Sequence, residues 1–398
     1  MANQPKILIP FEEALNLVLD TVKPVTTVKV NLQDSLHRIL AEDVYADRDM
    51  PPFHKSAMDG YACRKEDLAH ELTIIEELPA GSVPQKTIKR NQCSKIMTGA
   101  MVPEGADCVV MKEHVTITGP NTIRCSELSV QSNICYRGED LKKGELILEK
   151  GTLLKAPQIA ILASVGIAHP LVAKQPSVAV FSTGSELVEP DELPQQQQIR
   201  NSNSYQLVAQ LASMGISASY SGIVKDEVEE VHEKLVAALR QFDVVLVSGG
   251  VSVGDYDYVP EILHRLGAQI LFHGLNVKPG KHLLFAQTGN KFVIGLPGNP
   301  VSSFVQFELL VKPFLLEMMG SKRKKILFKM PIATDYFRKK ADNMLFVPVS
   351  FSEEGTIQLL EYHGSAHIHA YTGADGILTI PVGIHEIKKG EIVYVRPL

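Results

Sequence analysis

From Ser177 onward the chain alternates strand-like and helix-like segments, and few architectures accept that order. VAVFS, SNSYQLVAQLASMG, ISASYSGIV, EVEEVHEKLVAALR, DVVLVS, DYVPEILHRLG and AQILFHGLNV follow one another. Strands separated by helices of this length build βαβ units, and these build a mainly parallel sheet with helices on its faces. The Val/Leu run Val244 to Val247 has the pattern of a parallel strand covered on both sides. Leu283 to Phe285 and Phe292 to Gly295 add two strands, and Asn299 with Pro300 reads as N-cap and first residue of a last helix.

In an open sheet of this kind, ligands bind beyond the carboxyl ends of the strands. Ser182, Thr183, Gly184, Ser185 and Glu186 follow the first strand, and Asp226 follows ISASYSGIV. Ser248, Gly249, Gly250, Ser252 and Gly254, with Asp255 and Asp257, follow DVVLVS. LNVKPGKH supplies Lys278 and Lys281, and GLPGNP supplies Pro297, Gly298 and Asn299. A glycine-rich turn lets backbone N–H groups approach a phosphate, although this one matches neither G-x-x-x-x-G-K-[ST] nor G-x-G-x-x-G. Carboxylates from three strand ends suit a hard divalent cation that shares phosphate oxygens. Singly, each residue has a structural use: Asp226 as an N-cap, Glu186 as first-turn charge, the lysines beside a Pro-Gly turn. Their joint occurrence at successive strand ends is what points to a site.

The flanks read differently. Phe11, Leu15, Val18, Leu19 and Val22 make FEEALNLVLDTV a short amphipathic helix, and Leu36 to Leu40 is a second helical candidate. Residues 46 to 146 hold short alternating stretches between Gly, Pro and Asn, so they are β-rich. Asp59 in SAMDGYA, Thr98 in KIMTGAM and Asp140 in YRGED are polar candidates there, against the plain reading of D-G and T-G as turns. KKGELILEKGTLL is hairpin-like and APQIAILASVG is a short apolar helix. After Gly320, MLFVPVSF, TIQLLEY, GILTIP and EIVYVRP fit a small β-barrel or sandwich. His367 and His369 are expected on one face of a strand near His363; without a clear third ligand, a solvated face outranks a metal site.

Composition narrows the classes. A net charge of −5 and no basic run beyond Lys322–Lys325 leave no footprint for nucleic acid. No apolar run approaches the roughly 20 residues of a membrane span, and the N-terminal segment lacks the order of a signal peptide. Five cysteines, at 63, 93, 108, 125 and 135, form no C-x-x-C pair. Reduced thiols and a cytoplasmic protein are the expectation.

Taken together, PPFHKSAMDGYA, KIMTGAMVPEGAD, RGEDLKKGE, VFSTGSEL, SGGVSVGDYDYV, VKPGKH and GLPGNPVSSF resemble the MoeA family of molybdopterin molybdotransferases, related to the gephyrin E domain. The resemblance implies an α/β multidomain fold. Residues 1–45 with 141–176 would form an N-terminal domain, 46–140 an inserted β-rich domain, 177–327 the molybdopterin-binding α/β domain and 328–398 a C-terminal β-barrel-like domain. It implies a homodimer in which the α/β domain of one subunit faces the early β-rich domain of the other. The implied reaction inserts molybdate into adenylated molybdopterin, releasing AMP with Mg²⁺ or another divalent cation present. By matching motifs, Asp59, Thr98, Asp140, Glu186, Asp226 and Asp257 are the catalytic positions, and Glu186, Asp226 and Asp257 serve the metal. Thr183, Gly184, Ser185, the SGGVSVGD residues, Lys278, Lys281, Pro297, Gly298, Asn299, Pro300 and Ser365 would bind substrate. Hand-over of cofactor to apo-molybdoenzymes, or exchange with the molybdopterin adenylyltransferase, would follow. Pro348 stands near where family members carry an arginine, so a scaffold without turnover and a tungstate-preferring paralogue are the rival readings, together with the adenylyltransferase itself.

Overall fold

The structure, a computed structural model, describes residues 8–252, 257–322 and 326–398. The chain divides into two compact units, one built from 1–42, 150–159 and 169–398, the other from 43–149 and 160–168. The helices, in chain order, are α1 (Phe11–Asp20), α2 (Ala156–Ser164), α3 (Asn203–Ser213), α4 (Val228–Gln241), α5 (Val259–Arg265), α6 (Pro300–Gln306) and α7 (Lys312–Met318).

The larger unit is organised by strands β1 (Val178–Thr183), β2 (Leu187–Val188), β3 (Ile199–Arg200), β4 (Ala218–Val224), β5 (Val244–Ser248), β6 (Gln269–His273), β7 (Leu284–Thr288) and β8 (Lys291–Leu296). Six of them form one sheet in the order β4-β1-β5-β8-β7-β6. The first three neighbouring pairs are parallel, and β8-β7 and β7-β6 are antiparallel. β5 lies inside this sheet with every residue buried. Its side chains alternate between two cores, as strand geometry requires. Val244 and Leu246 join Val180, Phe285 and the α3 residues Leu207 and Leu211; Val245 and Val247 join Phe181 and the α4 and α5 residues Leu235 and Ile262. Each such aliphatic side chain contributes about 1.5–3 kcal/mol when fully buried, so the sheet holds the strand ends in fixed register.

The last helical stretch departs from one regular helix. α6 and α7 are separated by a π-helical turn, Phe307–Val311, whose residues are all buried. Pro300 opens α6 as expected, but the Asn299 side chain makes no capping hydrogen bond. α1 packs Phe11, Ala14 and Val18 into the first core. The expected helix at Leu36 to Leu40 does not form. A 3₁₀ turn covers Leu32–Asp34, and Ile39 and Leu40 bridge Leu153 and Val172. Five residues are too few to nucleate a helix against available strand partners.

The C-terminal segment of this unit is a sheet in which Phe328–Pro331, Ile392–Pro397, Gly376–Ile380 and Met344–Phe351 lie in that order, with Val277–Lys278 beyond. Pro348 falls on Met344–Phe351 between the stretch paired with Val277–Lys278 and the stretch paired with Ile357–Leu359. Its missing N–H therefore costs no ladder bond on that edge. The histidines are not on a strand: a 3₁₀ turn covers Ile368–Tyr371 and His367 precedes it. The rings of His363 and His367 stack with centroids 4.8 Å apart. Three residues separate His363 from the preceding strand, Ile357–Leu359, and the Gly-Ser-Ala sequence that follows His363 favours a turn.

The smaller unit is β-rich. Its six-stranded sheet runs Cys108–Met111, Gly60–Cys63, Gln92–Ile96, Glu71–Leu78, Thr122–Cys125, Val115–Gly119, with one parallel pair, Glu71–Leu78 on Gln92–Ile96. Cys63 stands opposite Cys108, with the sulfurs 3.7 Å apart, and both are free thiols. Cys93 and Cys125 share that core, and burial pushes the Cys93 thiol up to about 12.

Candidate functional site

Three strand ends of the larger unit open onto one cavity of about 670 Å³. β1 delivers Ser182 and Thr183, β5 delivers Ser248 and the Gly249–Gly250 turn, and β8 delivers Pro297, Gly298, Asn299 and Pro300. The glycines are needed. Gly249 and Gly250 have φ of +94° and +65°, and a Cβ on Gly249 would meet the Thr183 carbonyl oxygen at 2.5 Å. Only glycine adopts that conformation at little cost while the loop lies directly on β1. The Thr183 hydroxyl beneath the loop is buried without a hydrogen-bond partner among the described residues.

The loops are tied by side chains that the reading of motifs passed over. Asn203, at the start of α3, donates through Nδ2 to Ser248 Oγ at 2.8 Å and to the Gly298 carbonyl at 2.8 Å. Asn201 accepts from Ser182 Oγ at 3.0 Å and donates to the Tyr220 hydroxyl. Tyr220 in turn donates to Glu189 at 2.5 Å, and Tyr205 donates to the other oxygen of Glu189 at 3.0 Å. Burial and the Glu189 carboxylate hold the Tyr220 phenol well above its ordinary range. The available signal was N-S-N-S before α3: small polar residues where a helix enters a core need internal partners.

Glu186, Asp226 and Asp257 all line the cavity. Asp226 is not a helix cap, because Glu227 precedes α4 and Asp226 is engaged elsewhere. Its carboxylate accepts from the Ser185 N–H at 3.1 Å, and its own N–H reaches Ser185 Oγ at 3.3 Å. Gly184 donates to the Val224 carbonyl. Among the described residues, no group of three His, Cys, Asp or Glu side chains is gathered as a ready metal cage. Three carboxylates around one cavity nonetheless offer the hard oxygen donors that Mg²⁺ accepts together with water and phosphate oxygens.

Other expected residues lie elsewhere. Lys278 and Lys281 do not line the cavity; both are exposed, and the neighbouring His282 lines it instead. The Pro279–Gly280 turn between them is braced by Gln306 Nε2, which donates to the Pro279 carbonyl at 3.0 Å. Ser365 is also outside the lining. Its carbonyl accepts from Val301 N–H at 3.0 Å, and this brings Ala366 and Ile368 to the cavity. Arg200 on β3 is a lining residue that the motifs did not indicate. Ser252 lines the cavity, whereas Gly254 and Asp255 fall outside the described residues, as does most of the Lys322–Lys325 cluster.

In the smaller unit, Asp59 and Thr98 are brought together. The Asp59 carboxylate accepts from Thr98 N–H at 2.8 Å and from Thr98 Oγ1 at 2.7 Å, with Lys112 Nζ at 3.5 Å. Those donors, the Thr98 N–H first, hold its carboxyl below the ordinary value. Gly60 beside it has no room for a side chain, since a Cβ would lie 1.9 Å from the Val110 carbonyl oxygen. Asp140 is exposed, and its N–H donates to the Met50 carbonyl.

Comparison with known proteins decides the family. Residues 9–166 match the MoeA N-terminal region (domain I and II), 179–317 the probable molybdopterin binding domain and 332–398 the MoeA C-terminal region (domain IV). The chain belongs to the MoeA family. A molybdopterin molybdenumtransferase of Staphylococcus epidermidis is 36% identical over 99% of this chain and 97% of its own length. One from Haemophilus influenzae is 35% identical over 98% of each. The crystal structure of the molybdopterin biosynthesis moeA protein from Pyrococcus horikoshii superposes with a TM-score of 0.82 at 32% identity, covering 98% of this chain and all of that one. The MoeA fold of the chain thus agrees with the α/β multidomain expectation.

Proposed function

We propose that the protein is a molybdopterin molybdenumtransferase, an enzyme of molybdenum cofactor biosynthesis that takes adenylated molybdopterin and molybdate and releases AMP. The observation that carries the reading is the convergence of Glu186, Asp226 and Asp257 on one cavity with the Ser248–Gly250 turn, in a chain matched along nearly its whole length by proteins of that name. Supported by the same donors, Mg²⁺ is the proposed metal. When bound it would neutralise phosphate charge and lower the pKa of a coordinated water.

The chain's own residues divide the remaining work. The Gly249 N–H donates to the Leu296 carbonyl at 3.0 Å, so of this glycine pair the Gly250 N–H is the group suited to a phosphate oxygen. The Asn203 brace keeps the β5 and β8 loops in one register, so that reacting groups are positioned before they meet. Asp226 stays oriented by Ser185. Water adds at one phosphorus of the adenylate, the P–O–P bridge breaks, and AMP leaves. In this reading the protein is a cytoplasmic homodimer, and Asp59 and Thr98 act from the second copy of the chain.

The test is AMP release from adenylated molybdopterin, with and without molybdate and Mg²⁺, scored by reconstitution of an apo-molybdoenzyme. Molybdate-dependent release that falls at least about a hundredfold in Asp257→Ala is expected if that carboxylate serves the reaction. Unchanged release in Asp257→Ala sinks the assignment. For the dimer, mixing Asp59→Ala with Asp257→Ala chains should restore activity lost in each alone; no recovery in the mixed dimers removes the shared-site arrangement.

A further inference from the structure

A ligand carrying several phosphate charges needs cations in the cavity, and the two lysines expected to supply them are not in its lining. The basic side chains among the described lining residues are His282 and Arg200. Arg200 carries the permanent charge.

Arg200 is exposed at the rim of the cavity, and its backbone neighbours are hydrogen-bonded on both sides. Ile199 N–H donates to the Glu186 carbonyl and Asn201 N–H to the Val188 carbonyl, so β3 is fastened on both sides of Arg200 to the β2 segment that follows Glu186. Arg200 Nε donates to the Glu192 carbonyl at 3.1 Å, which fixes one edge of the guanidinium. The neighbouring loop contains Glu189, Asp191 and Glu192, yet Arg200 makes no ion pair among the described residues. Glu189 is taken by the hydroxyls of Tyr205 and Tyr220. Among the described residues the Arg200 guanidinium bonds only the Glu192 carbonyl, which keeps its two terminal amino groups available. That planar pair matches two oxygens of one phosphate.

We infer that Arg200 is a phosphate-binding residue of this cavity, gripping the diphosphate of the anionic substrate from the β2–β3 rim while the three carboxylates hold it through a divalent cation. The inference rests on the proposed function for the identity of the substrate, but the contact itself requires only a diphosphate. It also accounts for the composition of the lining, where three carboxylates outweigh one guanidinium. A polyanion enters such a cavity only with its own metal, and Arg200 then orients the complex.

Inorganic pyrophosphate with excess Mg²⁺ is the probe, titrated calorimetrically into the wild-type chain, Arg200→Ala, Arg200→Lys and, as a surface control, Arg240→Ala. Loss of a charge-assisted pair predicts about ten- to a hundredfold weaker binding for Arg200→Ala. Arg200→Lys should lie nearer to alanine than to wild type, since a lysine offers no fork. Arg240→Ala should bind as wild type. The inference is overturned if Arg200→Ala binds within twofold of wild type, if Arg240→Ala loses as much, or if the wild-type chain takes up no pyrophosphate at low millimolar concentration. The outcome is separable from that of the proposed function. Arg200-dependent pyrophosphate binding without AMP release would leave the phosphate contact standing and remove the insertion reading. AMP release with an unchanged KM in Arg200→Ala would do the reverse.

Discussion

Asn203 makes the most exacting test of how the cavity is held together. Its side chain is 8% exposed, and one Nδ2 group serves Ser248 Oγ and the Gly298 carbonyl, both at 2.8 Å. Truncation to alanine removes both bonds. Ser248 is 2% exposed, so its hydroxyl loses a buried partner, at a cost of about 1–2 kcal/mol. Gly298 is exposed and its carbonyl is rehydrated, so that bond contributes only about 0.5 kcal/mol. The sum is about 2 kcal/mol for Asn203→Ala and about 1 kcal/mol for Ser248→Ala. Because the two side chains share one bond, the double variant should cost about 2 kcal/mol rather than 3, a coupling of about 1 kcal/mol. Urea unfolding followed by far-ultraviolet circular dichroism measures this, since the chain has no tryptophan to report by fluorescence. Additivity within about 0.3 kcal/mol would refute the brace.

Further expectations follow from the same geometry. Phe285→Ala removes a fully buried ring that contacts Phe272, Phe292 and Phe314, and should destabilise the larger unit by about 3–5 kcal/mol in the same urea assay; a loss below about 1 kcal/mol would contradict the packing. Gly249→Ala forces a side chain into positive φ against the Thr183 carbonyl and should cost at least about 2 kcal/mol, together with pyrophosphate affinity; a variant as stable as wild type would mean that the loop has another conformation. Asp59 titrates below the ordinary 3.8, so the stability it adds is complete above that pH and is lost as pH falls through the depressed value. Carbon-13 titration should show Thr98→Val moving its midpoint up but not fully, because the Thr98 N–H remains; no movement would discard the Oγ1 contact.

How far the sequence could be read depended on whether a signal was local. The strands β1, β4, β5, β6, β7 and β8 and the burial of β5 on both faces were legible because hydrophobic period and strand length are properties of short windows, whereas the two-residue strands β2 and β3 are too short to leave such a signal. The convergence of Glu186, Asp226 and Asp257 was legible too, since strand ends of a parallel sheet share an edge. That Lys278 and Lys281 stand outside the lining of this cavity was not legible, for a reason of the same kind inverted. A lysine near a strand end carries no sign of its direction, and here both are exposed beside the turn braced by Gln306. The helix expected at Leu36 to Leu40 failed because its apolar spacing served bridges to Leu153 and Val172, partners more than a hundred residues away. Asn201, Asn203 and Arg200 were invisible for want of a motif: their roles arise only when β3 and α3 are laid beside loops distant in the chain.

That distance has a consequence for how the cavity works. Its lining is assembled from β1, β5 and β8 ends that the sheet fixes rigidly, and from β2, β3 and the Ala366–Ile368 turn, which the two-residue β2–β3 ladder and the Val301–Ser365 bond hold more lightly. The carboxylates Asp226 and Asp257 follow sheet strands, whereas Arg200 sits on the lighter part. Binding energy from a diphosphate gripped by both would therefore be spent partly in ordering the β2–β3 rim against the sheet. Hydrogen exchange at Ile199 and Asn201, whose N–H groups close that rim, should then slow when pyrophosphate and Mg²⁺ are added, while exchange at Val245 and Leu246 stays unchanged. Equal protection of both segments before ligand is added would mean that the rim is as rigid as the sheet, and that Arg200 is preset rather than recruited.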